Sequence, residues 1–350
     1  MINIFSDINN VKKQWEEIKL PVFLTVRFLD IYYQMHPKVQ HLFAMSTNTR
    51  LYAHIFSLTF HKARNYLPNN LIANTLLRYI KLDVLYLTNS FITNIPSFSS
   101  SKAIDLNQLL SKIKQKYSII VIPDFVFVNM KVEHKEYTKI EVESEMILNI
   151  RREWKILECY LSDLKKKYRN NIKNIIKKTD QLEIENLNRD QLKYYEEDIR
   201  NLFNQVVKSS QFKGPQFNTD SLVLFVEQGF MKVDGYFIEK KLVGFSSLLQ
   251  KEDTLYSYFV GFDKNINISC PIYGRILIEN IKHAIKLKSK RLVLGRTANE
   301  YKSNFGALPI RSFIYLRVKN NFMNIILRPI YNRLRLNTWK RRHPFKLPAL

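Results

Sequence analysis

Residues 233–265, VDGYFIEKKLVGFSSLLQKEDTLYSYFVGFDKN, and 268–316, ISCPIYGRILIENIKHAIKLKSKRLVLGRTANEYKSNFGALPIRSFIYL, decide the fold. Val233–Glu239 and Leu242–Gln250 alternate as two strands of a hairpin, turning at Lys240-Lys241. Thr254–Phe262 follows as a third strand. Its tyrosines and phenylalanines suit a pleated, half-buried surface. Tyr273, Ile276, Leu277, Asn280, Ile281, Ala284 and Ile285 recur at helical spacing, which predicts an apolar stripe lying on that sheet. Arg291–Leu294 is a short apolar strand. Polar residues gather directly after it: Arg296, Thr297, Glu300 and Lys302. A polar cluster beyond the C-terminal end of a buried strand is where open α/β sheets place chemistry.

The element order and the letters Ile272-Tyr273, Ala284-Ile285, Leu294-Gly295-Arg296-Thr297, Glu300, Lys302 and Phe305-Gly306-Ala307 resemble the GNAT acyltransferase superfamily in its FemAB-like, peptidoglycan-biosynthesis-type branch. Tyr160-Leu161, Leu164 and Tyr168-Arg169 are similar to the opening helix of that branch. The resemblance spans about residues 150–318. It implies an α/β fold of two GNAT-like domains, each a mixed, mostly antiparallel sheet flanked by helices. Residues 1–150 are then a diverged N-terminal copy, 151–180 a basic connecting helix, 181–318 the acyltransferase domain and 319–350 a basic amphipathic tail. No internal sequence repeat is evident.

The resemblance also implies acyl or aminoacyl transfer to an amine, with a cell-envelope precursor as one acceptor class. Lys302 of the Lys-x-x-Phe-Gly element would act beside the reacting carbonyl, and Arg296 would bind a carboxylate or phosphate. Thr297 and Glu300 would orient the substrate or receive a proton. Phe305, Gly306, Tyr258 and Asp234 would line the cleft, with Tyr236 near them. Plainer roles stand beside these: a surface lysine at 302, a local ion pair at Glu300, packing for the tyrosines. Acyl-CoA users of the superfamily cradle the pyrophosphate in a glycine-rich loop. The matching stretch here, Asn265–Gly274, holds only Gly274. Tyr273, Gly274 and Arg275 are the candidate phosphate-binding residues, at a helix N-terminus. The donor is therefore acyl-CoA or aminoacyl-tRNA. A CoA-dependent acetyltransferase of a small molecule and a non-catalytic binder of polyanions or membrane surfaces are the alternatives.

Length and composition bound these readings. A chain of 350 residues suits two domains. A hydrophobic fraction of 46% suits a globular chain. The net charge of +24 points to an anionic partner, such as tRNA, CoA, a nucleotide-linked precursor or an anionic membrane face; a generally lysine-rich composition also accounts for it. Two distant cysteines, Cys159 and Cys270, make neither a disulfide framework nor a zinc motif, and the seven histidines have no ligand spacing. No metal is expected. The N-terminus lacks a signal-peptide pattern, and no apolar run is long enough to span a bilayer, so a cytoplasmic protein with at most peripheral membrane contact is expected.

Two segments carry concentrated charge. From Leu157 to Lys178 an apolar stripe (Leu157, Leu161, Leu164, Tyr168, Ile172, Ile175) backs a face of lysines, which suits phosphates, lipid headgroups or plain solvent. Beyond Lys319, Arg328, Arg333, Arg335, Arg341 and Arg342 interleave with Leu327, Tyr331 and Trp339 and with no acidic residue. Other expected elements are strands at Arg50–Ala63, Val84–Ile92, Ile119–Val128, Tyr137–Ile150 and Leu182–Leu187. Helices are expected after Asp105, over Asp190–Ser209 and over Ser221–Gln228.

Overall fold

The computed structural model describes residues 2–59, 81–92, 94–207, 214–325, 336 and 338–346. It is a mixed α/β fold with a large, mostly antiparallel sheet flanked by helices. Two compact units divide the chain: Met1–Val142 with Gln211–Asn218 and Ser312–Leu336, and Glu143–Ser210 with Thr219–Arg311 and Asn337–Leu350. The units part between Val142 and Glu143, not at residue 150, and that boundary falls inside one long strand, Thr138–Asn149, whose later residues pair in the second unit.

The first unit holds β1 (Asn3–Phe5), helix α1 (Val26–Met35), β2 (Gln40–Ser46), β3 (Thr49–Thr59), β4 (Lys81–Tyr86), β5 (Phe98–Ser100), β6 (Ile104–Asp105), α2 (Leu106–Ser111), β7 (Ile119–Pro123), α3 (Asp124–Phe127) and β8 (Met130–Lys131). The start of β9 (Thr138–Asn149) also belongs to it. The second unit holds the rest of β9, α4 (Leu157–Asp163), α5 (Lys166–Lys178), β10 (Glu183–Asn186), α6 (Arg189–Tyr194), α7 (Glu196–Val207), α8 (Ser221–Glu227), β11 (Lys232–Ile238), β12 (Lys241–Lys251), β13 (Thr254–Phe262), α9 (Ile272–Lys286), β14 (Arg291–Val293) and α10 (Asn299–Ser303). The last strand, β15 (Leu308–Val318), begins in the second unit and ends in the first.

Both units follow one strand plan. In the first, β1, β2, β3 and β4 pair antiparallel in turn; β4 then pairs β7 parallel, and β7 pairs β15 antiparallel. In the second, β10 to β13 pair antiparallel in turn; β13 pairs β14 parallel, and β14 pairs β9 antiparallel. Each parallel pair is reached through a helix, as a parallel connection requires. Each unit's sixth strand comes from the other half of the chain. β9, which follows the first unit's strands in sequence, registers Asn149 on Arg291 of the second; β15 registers Val318 on Ile119 of the first.

The second unit follows its sequence pattern closely. β13 spans the expected residues, with β14 beside it. The stripe of α9 is buried as expected at Ile276, Leu277, Asn280, Ile281, Ala284 and Ile285, and it shares a core with Leu255 and Leu292. The β11–β12 turn falls at Glu239-Lys240, one residue earlier than expected. Both residues take positive φ, 47° and 64°, as a two-residue hairpin turn demands. The helix expected over Asp190–Ser209 is two helices. Asn188 and Gln191 make a capping box that starts α6, and Tyr195 ends it.

In the first unit the strand expected over Ile119–Val128 stops at Pro123, and Asp124 opens a short helix. Asp105 caps α2 by accepting from Gln108 N at 2.9 Å, as its sequence suggests. The part of the β3 expectation beyond Thr59, the end of the helix at Ser209 and tail residues Leu327, Arg328, Tyr331, Arg333 and Arg335 lie outside the described residues.

Candidate functional site

β14 stays beside β13 for only three residues, Arg291 to Val293 opposite Thr254 to Tyr256. It then leaves: Leu294 N donates to Met146 O at 2.8 Å, and Met146 N to Gly295 O at 3.2 Å. β13 is itself irregular just past the parting, where Ser247 Oγ accepts from Phe259 N at 2.8 Å in place of a regular ladder bond.

The turn that follows β14 is strained. Gly295, Thr297 and Ala298 have φ of 73°, 68° and 50°. Positive φ is cheap for glycine and costly for a β-branched threonine. Residues held this way persist where the surroundings over-determine them, and they cluster at functional sites. The surroundings here are α10 and Lys302. Lys302 is 3% exposed, and its Nζ donates to Gly295 O at 3.1 Å and to Arg296 O at 2.8 Å. Burial pushes its pKa down to about 7, against the pull of nearby Glu145 and Glu143. It is therefore no surface lysine; it closes the turn from inside, and its burial favours the neutral amine over the ammonium.

The other expected residues divide. Arg296 is half-buried, and its Nε is enclosed with no hydrogen-bond partner. Thr297 is exposed at the tip of the turn. Glu300 pairs with Arg342 and accepts from Lys340 N at 3.4 Å; the Arg342 hydrogen bond, that backbone contact and the nearby positive charges hold its pKa below the usual carboxylate range. Phe305 is buried, and its carbonyl accepts from Tyr160 Oη at 2.9 Å. Gly306 has φ of 90°, and a Cβ there would run into the Phe345 ring. Phe345 belongs to a docked C-terminal segment: Leu164 bridges to Phe345, Lys165 N donates to Pro344 O at 2.8 Å, and Lys346 N to Asp163 O at 3.0 Å. The described end of the basic tail is thus packed on the second unit.

Tyr273, Gly274 and Arg275 are tied up by the protein itself. Tyr273 N donates to Asn267 Oδ1 at 2.9 Å, and the Tyr273 ring stacks on Phe262 and Tyr301. A Cβ on Gly274 would lie 2.6 Å from Tyr301 Oη, so the glycine lets α9 and α10 approach closely. Arg275 pairs with Glu279 at 2.7 Å and reaches Thr179 Oγ1 at 3.2 Å. Tyr258 lies on the irregular part of β13 beside Tyr256 and Phe259. Asp234 is elsewhere. It is buried near the C-terminal end of α9, paired with His283 at 2.6 Å and Lys232 at 3.2 Å. Burial alone would raise its pKa; the His283 hydrogen bond and the charges of His283 and Lys232 outweigh that and lower it.

Sequence reasoning missed four residues that line a cleft of about 250 Å³ with Ala298 and Glu300: Glu143, Asn299, Tyr301 and Trp339. Glu143 sits in a strand and Trp339 in the tail, so no local motif joins them. A larger cleft of about 420 Å³ lies in the first unit, but Leu82, Ile119, Val318 and Met323 make it mostly apolar, with no paired acid and base. Among the described residues, no group of three or more His, Cys, Asp or Glu is placed to hold a metal ion. No helix among them is long and apolar enough to cross a membrane.

The chain has a GNAT/FemAB-like fold, shared with solved structures across nearly its whole length. L-PGS from Bacillus licheniformis aligns over 95% of this chain and 98% of its own, with a TM-score of 0.55 and 9% identity. FemX aligns over 93% and 100%, with a TM-score of 0.51 and 9% identity. A conserved Bacteroides thetaiotaomicron protein of unknown function aligns over 91% and 100%, with a TM-score of 0.51 and 11% identity. No family model and no curated protein matches the sequence.

Proposed function

We propose that this protein transfers an acyl group from an activated donor onto an amine, and that the second unit carries the chemistry. Two GNAT-like copies are the natural reading of the repeated strand plan. The observation that carries the functional reading is the strained turn at Gly295–Ala298, locked by a buried lysine where β14 leaves β13. Acyl transfer needs donors where negative charge grows on the carbonyl oxygen. Left-handed backbone can gather N–H groups for that purpose. Lys302 spends two N–H donors on carbonyls, and a protonated lysine has a third. The enclosed Arg296 Nε is a further donor awaiting an acceptor. Glu300, held by Arg342, is assigned to anchoring the C-terminal segment, and Asp234 to fastening β11 to α9.

The first turn of α9 argues for the donor class. Asn267 Oδ1 and Cys270 O already accept its N–H groups from Tyr273 and Ile272, and Arg275 is engaged. This favours an aminoacyl-tRNA donor over acyl-CoA, with a cell-envelope precursor as one acceptor class. A second reading, polyanion binding without turnover, is favoured by one observation. Lys165, Lys166, Lys167, Lys173, Lys177 and Lys178 are exposed on and beside α5, and none is ion-paired among the described residues. Native mass spectrometry with acetyl-CoA, charged tRNA and a nucleotide-linked muropeptide offered in turn separates the two. A complex followed by a mass gain on an amine acceptor supports transfer. A complex with no mass gain on any acceptor favours binding alone.

A further inference from the structure

The cleft beside the strained turn has a one-sided chemistry. Its polar lining is acceptor-rich: the carboxylates of Glu143 and Glu300, and Asn299. Asn299 is 5% exposed, and its Nδ2 donates to Glu143 Oε2 at 3.0 Å. That bond fixes the amide, because the flipped form would set its oxygen against the carboxylate. Asn299 Oδ1 is then left enclosed with no partner. A buried acceptor without a donor is costly unless something supplies one. The cations nearby do not. Arg342 is committed to Glu300, Lys340 meets Glu300 through its backbone N–H, and Lys302 points its Nζ at the carbonyls of Gly295 and Arg296. The remaining lining residues are Ala298, Tyr301 and Trp339, two of them aromatic, a residue class that attracts cations.

We infer that this cleft is a binding site for a substrate's primary ammonium group, with Glu143 as counter-ion, Asn299 Oδ1 as second acceptor and Trp339 as aromatic wall. An anion entering here would meet like charge, and a neutral apolar group would leave Asn299 Oδ1 unpaired. An ammonium satisfies both. The inference deepens the acyl-transfer reading and rests on it for its chemical sense. Within that reading, the ammonium is either the acceptor amine before it loses its proton or the free α-amino group of an aminoacyl donor. Because the C-terminal segment contributes Trp339, the site is incomplete without it.

Saturation-transfer NMR titrations of the full-length protein, without any acyl donor and at constant ionic strength, test this. The probes are Nα-acetyl-lysine methylamide for a side-chain amine, alanine methylamide for an α-amine, and the acetylated, neutral form of each. At least one charged probe is expected to bind saturably and at least about tenfold more tightly than its neutral form, and the stronger charged probe names the source. Glu143→Gln preserves volume and the Asn299 hydrogen bond and should weaken that probe roughly 10- to 100-fold. Trp339→Leu should weaken it about threefold or more. The inference is overturned if neither charged probe binds, if charged and neutral probes bind alike, or if folded Glu143→Gln binds as wild type. If a variant does not fold, the charged-to-neutral ratio in the wild type still decides. Since no donor is present, failure here leaves acyl transfer to be judged separately by mass gain on an acceptor.

Discussion

The two units share a strand plan and differ where their fifth strands end. In the second unit β14 runs into Gly295, Thr297 and Ala298 at positive φ, with a buried lysine donating into the turn. In the first, β7 ends at Pro123, and Asp124 starts a short helix; Asp124 Oδ2 accepts from Phe313 N at 3.0 Å, and Phe127 stacks on Tyr315 at 3.6 Å. Among the described residues every positive-φ position lies in the second unit. The first unit has buried polar contacts of its own: His41 meets Tyr52 Oη at 2.7 Å, and His54 meets Ser90 Oγ at 2.8 Å. Burial lowers the pKa of His36 and His41 to about 4, so all three imidazoles are neutral parts of a core near neutral pH. The comparison teaches that a shared fold positions a strand end, while the residues after that end decide whether it becomes a site.

The largest effect should come from Lys302→Met. Loss of a preorganised donor in a water-poor site costs roughly 3–4 kcal/mol of transition-state stabilisation, or about 10²–10³ in rate. The same variant has a stability signature. The folded pKa of about 7 lies below the unfolded value of 10.5, so the folded state binds fewer protons between those pH values, and this group's contribution to stability rises with pH across that window. Denaturant melts should show the wild type gaining on Lys302→Met above about pH 7, by up to about 1.4 kcal/mol per pH unit. The difference should be flat below it. Among the described residues the first unit has no buried lysine equivalent to this one, so a flat difference throughout would erase the contrast.

Gly306→Ala comes next. It combines an unfavourable φ with a clash against Phe345, and should cost about 2–3 kcal/mol in chemical denaturation. A cost near zero would show that the C-terminal segment is not seated there. Asp234→Asn should cost about 1–2 kcal/mol near neutrality and leave transfer rates unchanged, because Asp234 serves the other end of α9. Its folded pKa lies below the unfolded value of 3.8, so its contribution is present above that pH and lost as pH falls through the lower folded value. The smallest effect is that of Thr297→Gly, which relieves the left-handed threonine and should change stability by less than about 1 kcal/mol, toward stabilisation. A loss in rate with no loss in stability would mark the strain as functional.

Much of the second unit was legible in sequence because its signals are local. Alternation marked β11 and β12, aromatic content marked β13, and helical spacing marked the buried face of α9. The exchange of β9 and β15 was not legible, since each pairs with a strand more than 100 residues away and strand pattern carries no partner identity. Lys302 was found through a motif, but its burial depends on α10 folding back over Gly295. Glu143 and Trp339 were invisible for the same reason: they are neighbours of Asn299 only in space. The expected phosphate site at Tyr273–Arg275 was plausible from a helix start, yet Asn267, Glu279 and Thr179 already occupy those groups.

In the proposed function the end of β14, and not the end of β7, carries acyl transfer. The most direct measurement is the initial rate of acyl transfer to a lysine-type amine, followed by mass, with the donor that native mass spectrometry identifies. Wild type, Lys302→Met in the second unit and Asp124→Asn in the first would be compared as folded proteins. Equal rates are expected for wild type and Asp124→Asn, with a loss of about 10²–10³ for Lys302→Met. Lys302→Met turning over as wild type does, or Asp124→Asn losing activity while Lys302→Met keeps it, would contradict that reading.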